Sequence, residues 1–557
     1  MKPYPYNKTR DVVRVSDMLD YRVQNTPEKD AFRVRTGKDS YKSITWGECA
    51  GQVDALGTAL YARGLQNAHI CVLGENSYEW ILTYFTALCG EMVIVPLDRE
   101  LPKEKLAELI RFSDAKAVMF SGLYAGIMKE LQPGLDGVEL FCMADDKGFT
   151  SLDTLLEEGN RLLAAGNASY KNSVPGLESL AAIYFTSGTS GDQKGVMLSQ
   201  KNIVASFHGA TKHVDFGEED VFLSVLPLHH AYESNCGILA VLHHGVVICF
   251  NESLKQFLPN LQLFKPTGMS LVPLITVTLF RQIMDGAKKS GKIKKLQAGM
   301  KLSDLLMRLN IDVTDKLFAE VYGALGGRFK KAFVGGAPMN PAITKAFRQL
   351  GITLLQGYGI TECAPLVAVN REYFYKDDSV GPVLPVCRVK IVEGEVWVKG
   401  DNVMIGYYKN EEATQETMED GWLKTGDLGY IDMDGFLYIT GRKKNLIILD
   451  SGENVSPEEL EGYVIDLPLV KEVVVYEDSG SIVAEIYHDA DYAAAENIAD
   501  VPGELKRQID DINRGLPMYK HIRDIRLRDT EFEKTTSKKI IRYKVGAPLE
   551  DAPDEIV

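Results

Sequence analysis

Tyr184-Phe-Thr-Ser-Gly-Thr-Ser-Gly-Asp-Gln-Lys-Gly-Val196 packs three glycines, four aliphatic hydroxyls and one lysine into thirteen residues. It grows out of Ala181-Ala-Ile-Tyr-Phe185, whose small, β-branched and aromatic side chains predict a buried strand. Glycines let backbone N–H groups approach an anion with no Cβ in the way, hydroxyls add donors, and Lys194 adds charge. That set suits a polyphosphate. It is not a Walker loop, because Lys194 is followed by Gly195 and Val196 instead of a Ser/Thr that opens a helix. A Ser/Gly surface loop has the same composition, so the rest of the chain must decide between the two.

At 557 residues the chain exceeds what one hydrophobic core supports, which predicts at least two domains. The formal charge of −15 excludes a protein whose main work is coating nucleic acid. Basic residues are concentrated locally instead, above all between Lys520 and Lys544. Eight scattered cysteines without a Cys-x-x-Cys pair read as small buried hydrophobes in a reducing compartment, not as a disulfide frame or zinc site. The N-terminus lacks an apolar signal core, and no run of about 20 apolar residues exists; 221–250 comes nearest and is broken by polar residues. These features predict a cytoplasmic protein.

Strand-like stretches at Tyr41–Ile44, His69–Leu73, Met92–Pro96, Ala117–Phe120 and Glu139–Cys142 alternate with helical ones such as Trp80–Leu88, which predicts an α/β layer structure. Residues 145–178 read as a polar, Gly-rich loop leading to the glycine-rich turn. Between 285 and 330, five lysines (288, 289, 292, 294, 295) lead into amphipathic patterns at Leu302, Leu305, Leu306 and Leu309, then Val313, Leu317 and Val321. An exposed helical insert is the plain reading, since charge runs are usually solvated faces. A basic amphipathic segment also fits the inner face of a membrane as a peripheral contact. The apolar stretch Gly268–Leu279 is the candidate lining of a hydrocarbon tunnel. After Gly441-Arg-Lys-Lys-Asn445, about 110 residues remain, enough for a small α+β domain.

Six motifs together resemble the adenylate-forming superfamily of acyl-CoA synthetases, luciferases and peptide-synthetase adenylation domains, in that family's order. The first is the opening stretch, which resembles its phosphate loop Thr-Ser-Gly-Thr-Thr-Gly-x-Pro-Lys-Gly-Val, with Ser190 in place of Thr and Gln193 in place of Pro. The others are Leu226-Pro-Leu-His-His-Ala-Tyr-Glu233, Gly335-Gly-Ala-Pro338, Gln356-Gly-Tyr-Gly-Ile-Thr-Glu362, the pair Trp422-Leu-Lys-Thr-Gly-Asp427 and Tyr438-Ile-Thr-Gly-Arg442, and Lys534-Thr-Thr-Ser-Lys-Lys-Ile-Ile-Arg542. The insert and Gly335-Gly-Ala-Pro338 are most similar to the long-chain fatty acyl-CoA synthetase branch.

The resemblance implies a large α/β N-terminal domain of layered sheets and helices (1–441), a hinge at 442–446 centred on Lys444, and a small mobile α+β C-terminal domain (447–557). It implies that Thr186, Ser187, Gly188, Thr189, Ser190, Gly191 and Lys194 hold the ATP phosphates and that Glu362 binds Mg²⁺. Gly336, Ala337, Pro338, Gly357 and Tyr358 would bind the adenine, and Asp427, Ile439 and Arg442 the ribose side of the nucleotide. His230 would sit at the mouth of the carboxylate site, with Thr361 toward a phosphate. Lys539 falls at the catalytic lysine, with Lys538 where glycine is usual, and Gly452 lies on the loop that admits coenzyme A. The implied reaction joins a fatty acid to ATP as acyl-AMP and then passes it to coenzyme A.

An acyl carrier protein as acceptor, a light-emitting oxidase and a non-catalytic ATP sensor are the alternatives; a sensor should lack Glu362 or the C-terminal lysine, and both are present. Monomer and homodimer are equally open.

Overall fold

The computed structural model describes residues 4–145, 148–187, 193–309, 311–449, 452–534 and 540–545. It divides into two compact units. The first holds residues up to Lys390 with Trp397–Lys424 and Ile431–Leu437, and the second holds Ile391–Val396, Thr425–Tyr430 and the chain from Tyr438 onward.

Two eight-stranded sheets organise the first unit. One runs Leu366–Val369, Thr353–Gly359, Lys331–Val334, Gly268–Leu271, Val221–Ser224, Val247–Phe250, Asp30–Arg35, Tyr41–Thr45. The other runs Gly406–Tyr407, Gln193–Ser199, Leu180–Ser187, Val93–Pro96, His69–Leu73, Ala115–Phe120, Glu139–Cys142, Thr150–Ser151. Their central strands are parallel. Parallel strands are covered on both faces, which is why Val221-Phe-Leu-Ser224 and Val247-Ile-Cys-Phe250 are buried along their whole length. The helix Gln200–His213, capped by Ser199, touches the strand Gln193–Ser199 of one sheet and Leu366–Val369 of the other. A helix lodged between two sheets must be apolar or satisfied on most sides; Ile203, Val204, Phe207 and Ala210 are buried on this one.

Two expectations need correction. Residues 145–178 are not a loop: the strand Thr150–Ser151 leads into the helix Leu152–Ala164, capped by the Ser151 hydroxyl. Gly159 is the point where this helix crosses the helix Trp46–Ala62, since a Cβ there would lie 1.8 Å from the Ala55 carbonyl oxygen. The segment 285–330 is not simply exposed. Leu296 and Met300 of the helix Ile293–Met307 join Phe318, Tyr322, Phe347 and Leu350 in one core, and the Tyr322 hydroxyl donates to the Leu350 carbonyl at 2.7 Å. Periodicity pointed to Leu302, Leu305 and Leu309 as the apolar stripe, yet these face outward.

In the second unit, a three-stranded sheet (Val470–Asp478, Ser481–His488, Asp524–Arg528) packs with the helices Pro457–Val464 and Val501–Asn513 around Leu460, Val464, Val475, Ile486, Leu505 and Ile509. All eight cysteines are free thiols and seven are buried. No helix among the described residues is long and apolar enough to cross a membrane.

Candidate functional site

The strands Leu180–Ser187 and Gln193–Ser199 pair antiparallel, with Thr186 opposite Lys194, so the glycine-rich stretch joins two neighbouring strands. Gly188, Thr189, Ser190 and Gly191 lie outside the described residues, and of Ser187 only the backbone is described. Gly195 is closely packed: a Cβ would meet the Ile183, Phe185 and Tyr408 side chains at 3.0–3.3 Å. The Thr186 hydroxyl donates to the Lys194 carbonyl at 3.5 Å.

The Lys194 ammonium sits 4.8 Å from the centre of the Tyr407 ring, and the Tyr407 hydroxyl donates to Glu362 Oε1 at 2.9 Å. Burial and the Glu362 carboxylate push the Tyr407 phenol well up. Lys194 and Glu362, 168 positions apart in the numbering of the chain, thus meet through one aromatic ring. Tyr407 escaped the motif reading; its signal is the Gly406-Tyr-Tyr408 run, which pairs with Val196 and Met197 at the edge of the sheet.

Behind this edge lies a buried hydrogen-bond chain. Tyr84 hydroxyl contacts the Tyr184 hydroxyl at 2.8 Å and donates to Asn235 Oδ1 at 2.6 Å; Asn235 Nδ2 donates to the Ala364 carbonyl at 3.1 Å. Tyr184 also contacts the Ser234 hydroxyl at 2.8 Å, which in turn donates to the His230 carbonyl at 3.1 Å. The chain ties the base of the glycine-rich hairpin to the turn carrying Thr361 and Glu362 and to the segment carrying His230. Asn76 clamps that last segment, donating to the Leu226 carbonyl and accepting from the Leu228 amide.

His230 precedes a π-helix, Tyr232–Ala240. The wider turn is a feature often found where a ligand binds. Glu233 on it is fully buried, and burial pushes its carboxyl up to about 8, against the opposing pull of the Ser224 and Ser270 hydroxyls and the Val225 and Leu226 amides. Ser224 donates to it at 2.6 Å. His229 is neutral: burial, then the neighbouring His230 and Arg99, hold it well below the usual imidazole range. Among the described residues no group of three or more His, Cys, Asp or Glu side chains lies together as a metal cage. Magnesium rarely needs one, because one or two carboxylates plus substrate phosphates suffice, and Glu362 offers hard oxygen for that arrangement.

Gly335 and Gly336 follow the strand Lys331–Val334, and Gly357 and Tyr358 end the parallel strand Thr353–Gly359. Ligands of open α/β sheets bind off such carboxyl ends. Gly336 has φ +85°, a left-handed value that admits glycine without strain, and Gly336, Ala337 and Pro338 are exposed. Gly336, Gly357 and Tyr358 share one cavity of about 110 Å³ with Tyr232, Cys236 and Ala240. Tyr232, Cys236, Ala240 and His244 recur every four residues, so a single helical face lines it lengthwise. Gly335 abuts the Tyr232 ring, while His244 lies against Phe216, which orients the cavity from the glycine turns toward an aromatic far end. The expected tunnel lining Gly268–Leu279 contributes only Ser270; Met269, Leu271 and Leu279 belong to the core instead. Burial, and secondarily Glu233, push the Cys236 thiol up to about 12, so it is no nucleophile.

In the second unit, Arg442 Nε meets Asp427 Oδ1 at 2.6 Å, and Asp427 is 3% exposed. The Asp427 amide donates to the Thr425 hydroxyl, which donates to the Val396 carbonyl at 2.7 Å, so the acid is held from its backbone side. Ile439 lies half-buried on the strand Phe436–Arg442, three residues before Arg442. Lys444 occupies a one-turn 3₁₀ segment, Lys443–Asn445, and Gly452 takes φ +91° between the paired strands Ile447–Ile448 and Asn454–Val455. Lys538 and Lys539 lie outside the described residues; Lys534 and Ile540, which flank that segment, bridge antiparallel.

Residues 19–408 match the family model for AMP-binding enzymes, and residues 444–556 match that for the AMP-binding enzyme C-terminal domain. The chain is 31% identical over 471 residues to the long-chain-fatty-acid–CoA ligase FadD15 of Mycobacterium bovis, covering 80% of this chain and 77% of that one. It is 29% identical over 530 residues to the peroxisomal long chain acyl-CoA synthetase 7 of Arabidopsis thaliana, covering 88% and 76%. The anthranilate CoA ligase AuaEII, solved with anthranoyl-AMP, superposes with a TM-score of 0.77 at 18% identity over 98% of both chains. The o-succinylbenzoate CoA synthetase of Bacillus subtilis, solved with ATP and magnesium, gives a TM-score of 0.71 at 22% identity over 95% of this chain and 98% of that one.

Proposed function

Because this chain belongs to the AMP-binding enzyme family, we propose that it activates a long-chain fatty acid with ATP and transfers the acyl group to coenzyme A. The observation that carries the substrate class is the apolar cavity running from Gly336 and Tyr358 along Tyr232, Cys236 and Ala240. A carboxylate cannot expel oxide. Its oxygen attacks the α-phosphorus, the bond to pyrophosphate breaks, and AMP becomes the leaving group. The thiol of coenzyme A then attacks the acyl carbon, and the bond to AMP breaks.

Thr186, Lys194 and the glycine-rich turn hold the phosphates, and Lys194 is pre-oriented by the Tyr407 ring. Tyr358 gives the adenine a flat face, and Asp427 accepts the ribose hydroxyls with Arg442 beside it. Magnesium bound at Glu362 would neutralise phosphate charge, with Tyr407 fixing that carboxylate. Burial holds His229 neutral and Glu233 protonated near the carboxylate entry beside His230. Lys539 serves the first half-reaction, Lys444 is the hinge between the two catalytic arrangements, and Gly452 gives the thiol room. No protein nucleophile is needed.

Pyrophosphate release across a panel of carboxylic acids, with and without coenzyme A or a holo acyl carrier protein, tests the reading. Long saturated acids should be the best substrates and coenzyme A the acceptor. A short or aromatic acid as the best substrate, or transfer to the carrier protein alone, contradicts it.

A further inference from the structure

The segment carrying Lys8, Thr9 and Arg10 is held to the first unit on both sides. Before it, Arg371 donates to the Tyr4 and Pro5 carbonyls, both at 2.7 Å, the Tyr6 ring stacks on His213, and the Asn7 amide donates to the Lys212 carbonyl at 3.0 Å. After it, Arg14 Nε donates to the Pro175 carbonyl at 2.9 Å. Lys8, Thr9 and Arg10 form one wall of a cavity of about 170 Å³. Its other walls include Tyr21 and Arg22 of the helix Val15–Asn25, Glu218, and the adjacent His243 and His244.

The charges lining this cavity do not cancel. Lys8, Arg10 and Arg22 stand against Glu218 alone, and both Glu218 oxygens are engaged, one by Arg22 at 2.8 Å and the other by Lys29. Lys8 and Arg10 make no ion pair among the described residues. The Arg10 guanidinium lies 3.8 Å from the centre of the Tyr21 ring, and one N–H donates to the Asp17 carbonyl at 3.4 Å. Arg22 is 5% exposed; its two terminal nitrogens hold Glu218 and the His243 carbonyl at 2.8 Å, and its Nε has no partner among the described residues. His244 Nε2 is likewise buried without a partner. Burial above all holds both imidazoles neutral, His243 at about 3 and His244 at about 4, so they add no charge. Buried polar atoms left unpaired in a native fold call for an explanation, and a bound ion is one.

We propose that this cavity is a second anion site, separate from the one that takes ATP, and that it binds a small phosphate-class dianion between Lys8, Arg10 and Arg22 on one side and the His243–His244 pair on the other. Three cations against one acid leave two positive charges, the complement of a dianion. Arginine meets phosphate oxygens through its planar fork and lysine as a point charge. His244 also lines the acyl cavity, at the end away from the glycine turns, so one ring is a wall of both cavities. An anion that accepts a hydrogen bond from His244 fixes that ring and with it the depth left for the end of an acyl chain. The binding does not depend on the reaction proposed above; its effect on the choice of acid rests on that reading.

The test is calorimetric titration of the full chain with inorganic phosphate at constant ionic strength. The wild type should bind it, and Lys8→Gln/Arg10→Gln should bind at least about tenfold more weakly with Tm unchanged, the worth of one charged hydrogen bond or more. Lys8→Gln alone, at an exposed side chain, should still weaken binding and serves if the double variant is unstable. Without phosphate, the double variant should form acyl-CoA like the wild type. Added phosphate should change the ratio of kcat/KM between a longer and a shorter acid by about fourfold in the wild type, what one methylene of depth is worth, and leave the variant's ratio alone. Three results overturn the proposal: a wild type that binds no phosphate, variants that bind as well as the wild type, which puts the ion in the ATP site, or a wild-type ratio that phosphate does not change. The titration needs no turnover, so a chain that binds phosphate at Lys8 and Arg10 but activates no fatty acid sinks the proposed reaction and leaves the site standing.

Discussion

Glu233 carries a proton that its ordinary value of 4.5 would not allow at neutral pH, because burial pushes the carboxyl to about 8. Between those two values the folded state binds the extra proton, so this group lowers stability as pH rises from about 4.5 and its effect levels off above about 8. The slope is at most about 1.4 kcal/mol per pH unit. Glu233→Gln should therefore gain in Tm relative to the wild type as pH is raised from 5 to 8; a difference that does not vary with pH contradicts the assignment. Asp427 is the other acid whose setting decides its work. Its Oδ1 meets Arg442 Nε at 2.6 Å, and its backbone amide donates to the Thr425 hydroxyl. Asp427→Asn should raise the KM for ATP by about tenfold or more, as loss of a charged hydrogen bond does, with the KM for the fatty acid little changed. Asp427 and Arg442 were named through the family resemblance of their two motifs, and the structure brings the two side chains together at 2.6 Å. Tyr407 was not named, because the Gly406-Tyr-Tyr408 run says nothing of the ring's contacts with Lys194 and Glu362.

At the scale of elements, the hydrogen-bond chain through Tyr84, Tyr184, Ser234 and Asn235 holds three motifs that are far apart in sequence. Asn235→Ala leaves the Tyr84 hydroxyl and the Ala364 carbonyl short of a partner. It should cost about 1–3 kcal/mol in chemical denaturation and depress pyrophosphate release; an unchanged midpoint would show that the chain does not bear on stability. The helical face Tyr232, Cys236, Ala240, His244 makes a second prediction. Ala240→Phe should fill the middle of the cavity and move the chain-length optimum to shorter acids, each excluded methylene forfeiting about 0.8 kcal/mol of binding. The same optimum in the variant, read from kcat/KM over a chain-length series, would place the acyl chain elsewhere. Sequence periodicity identified helices here without identifying their buried sides. Leu302, Leu305 and Leu309 form the more regular stripe, yet Leu296 and Met300 face the core. Likewise Gly159 is intelligible only once the Ala55 carbonyl is seen against it.

For the molecule as a whole, the strand–helix alternation and the order of the motifs were legible, because buried parallel strands leave near-continuous apolar runs and glycine turns punctuate them. The unit boundary was less so. The second unit takes in Ile391–Val396 and Thr425–Tyr430 as well as the chain from Tyr438, and segments that return from earlier in the chain leave no linker to read. Its Asp427 therefore belongs with Arg442 in the same compact body. The proposed chemistry divides into two half-reactions with different demands, and Lys539 is assigned to the first of them.

ATP–pyrophosphate exchange with a long-chain fatty acid, without coenzyme A, measures that first half-reaction alone. The expected result is exchange that requires the acid and is lost in Lys539→Ala, while the same variant still passes the acyl group of supplied acyl-AMP to coenzyme A. Exchange that ignores the fatty acid, or a Lys539→Ala variant that exchanges as well as the wild type, would contradict the account.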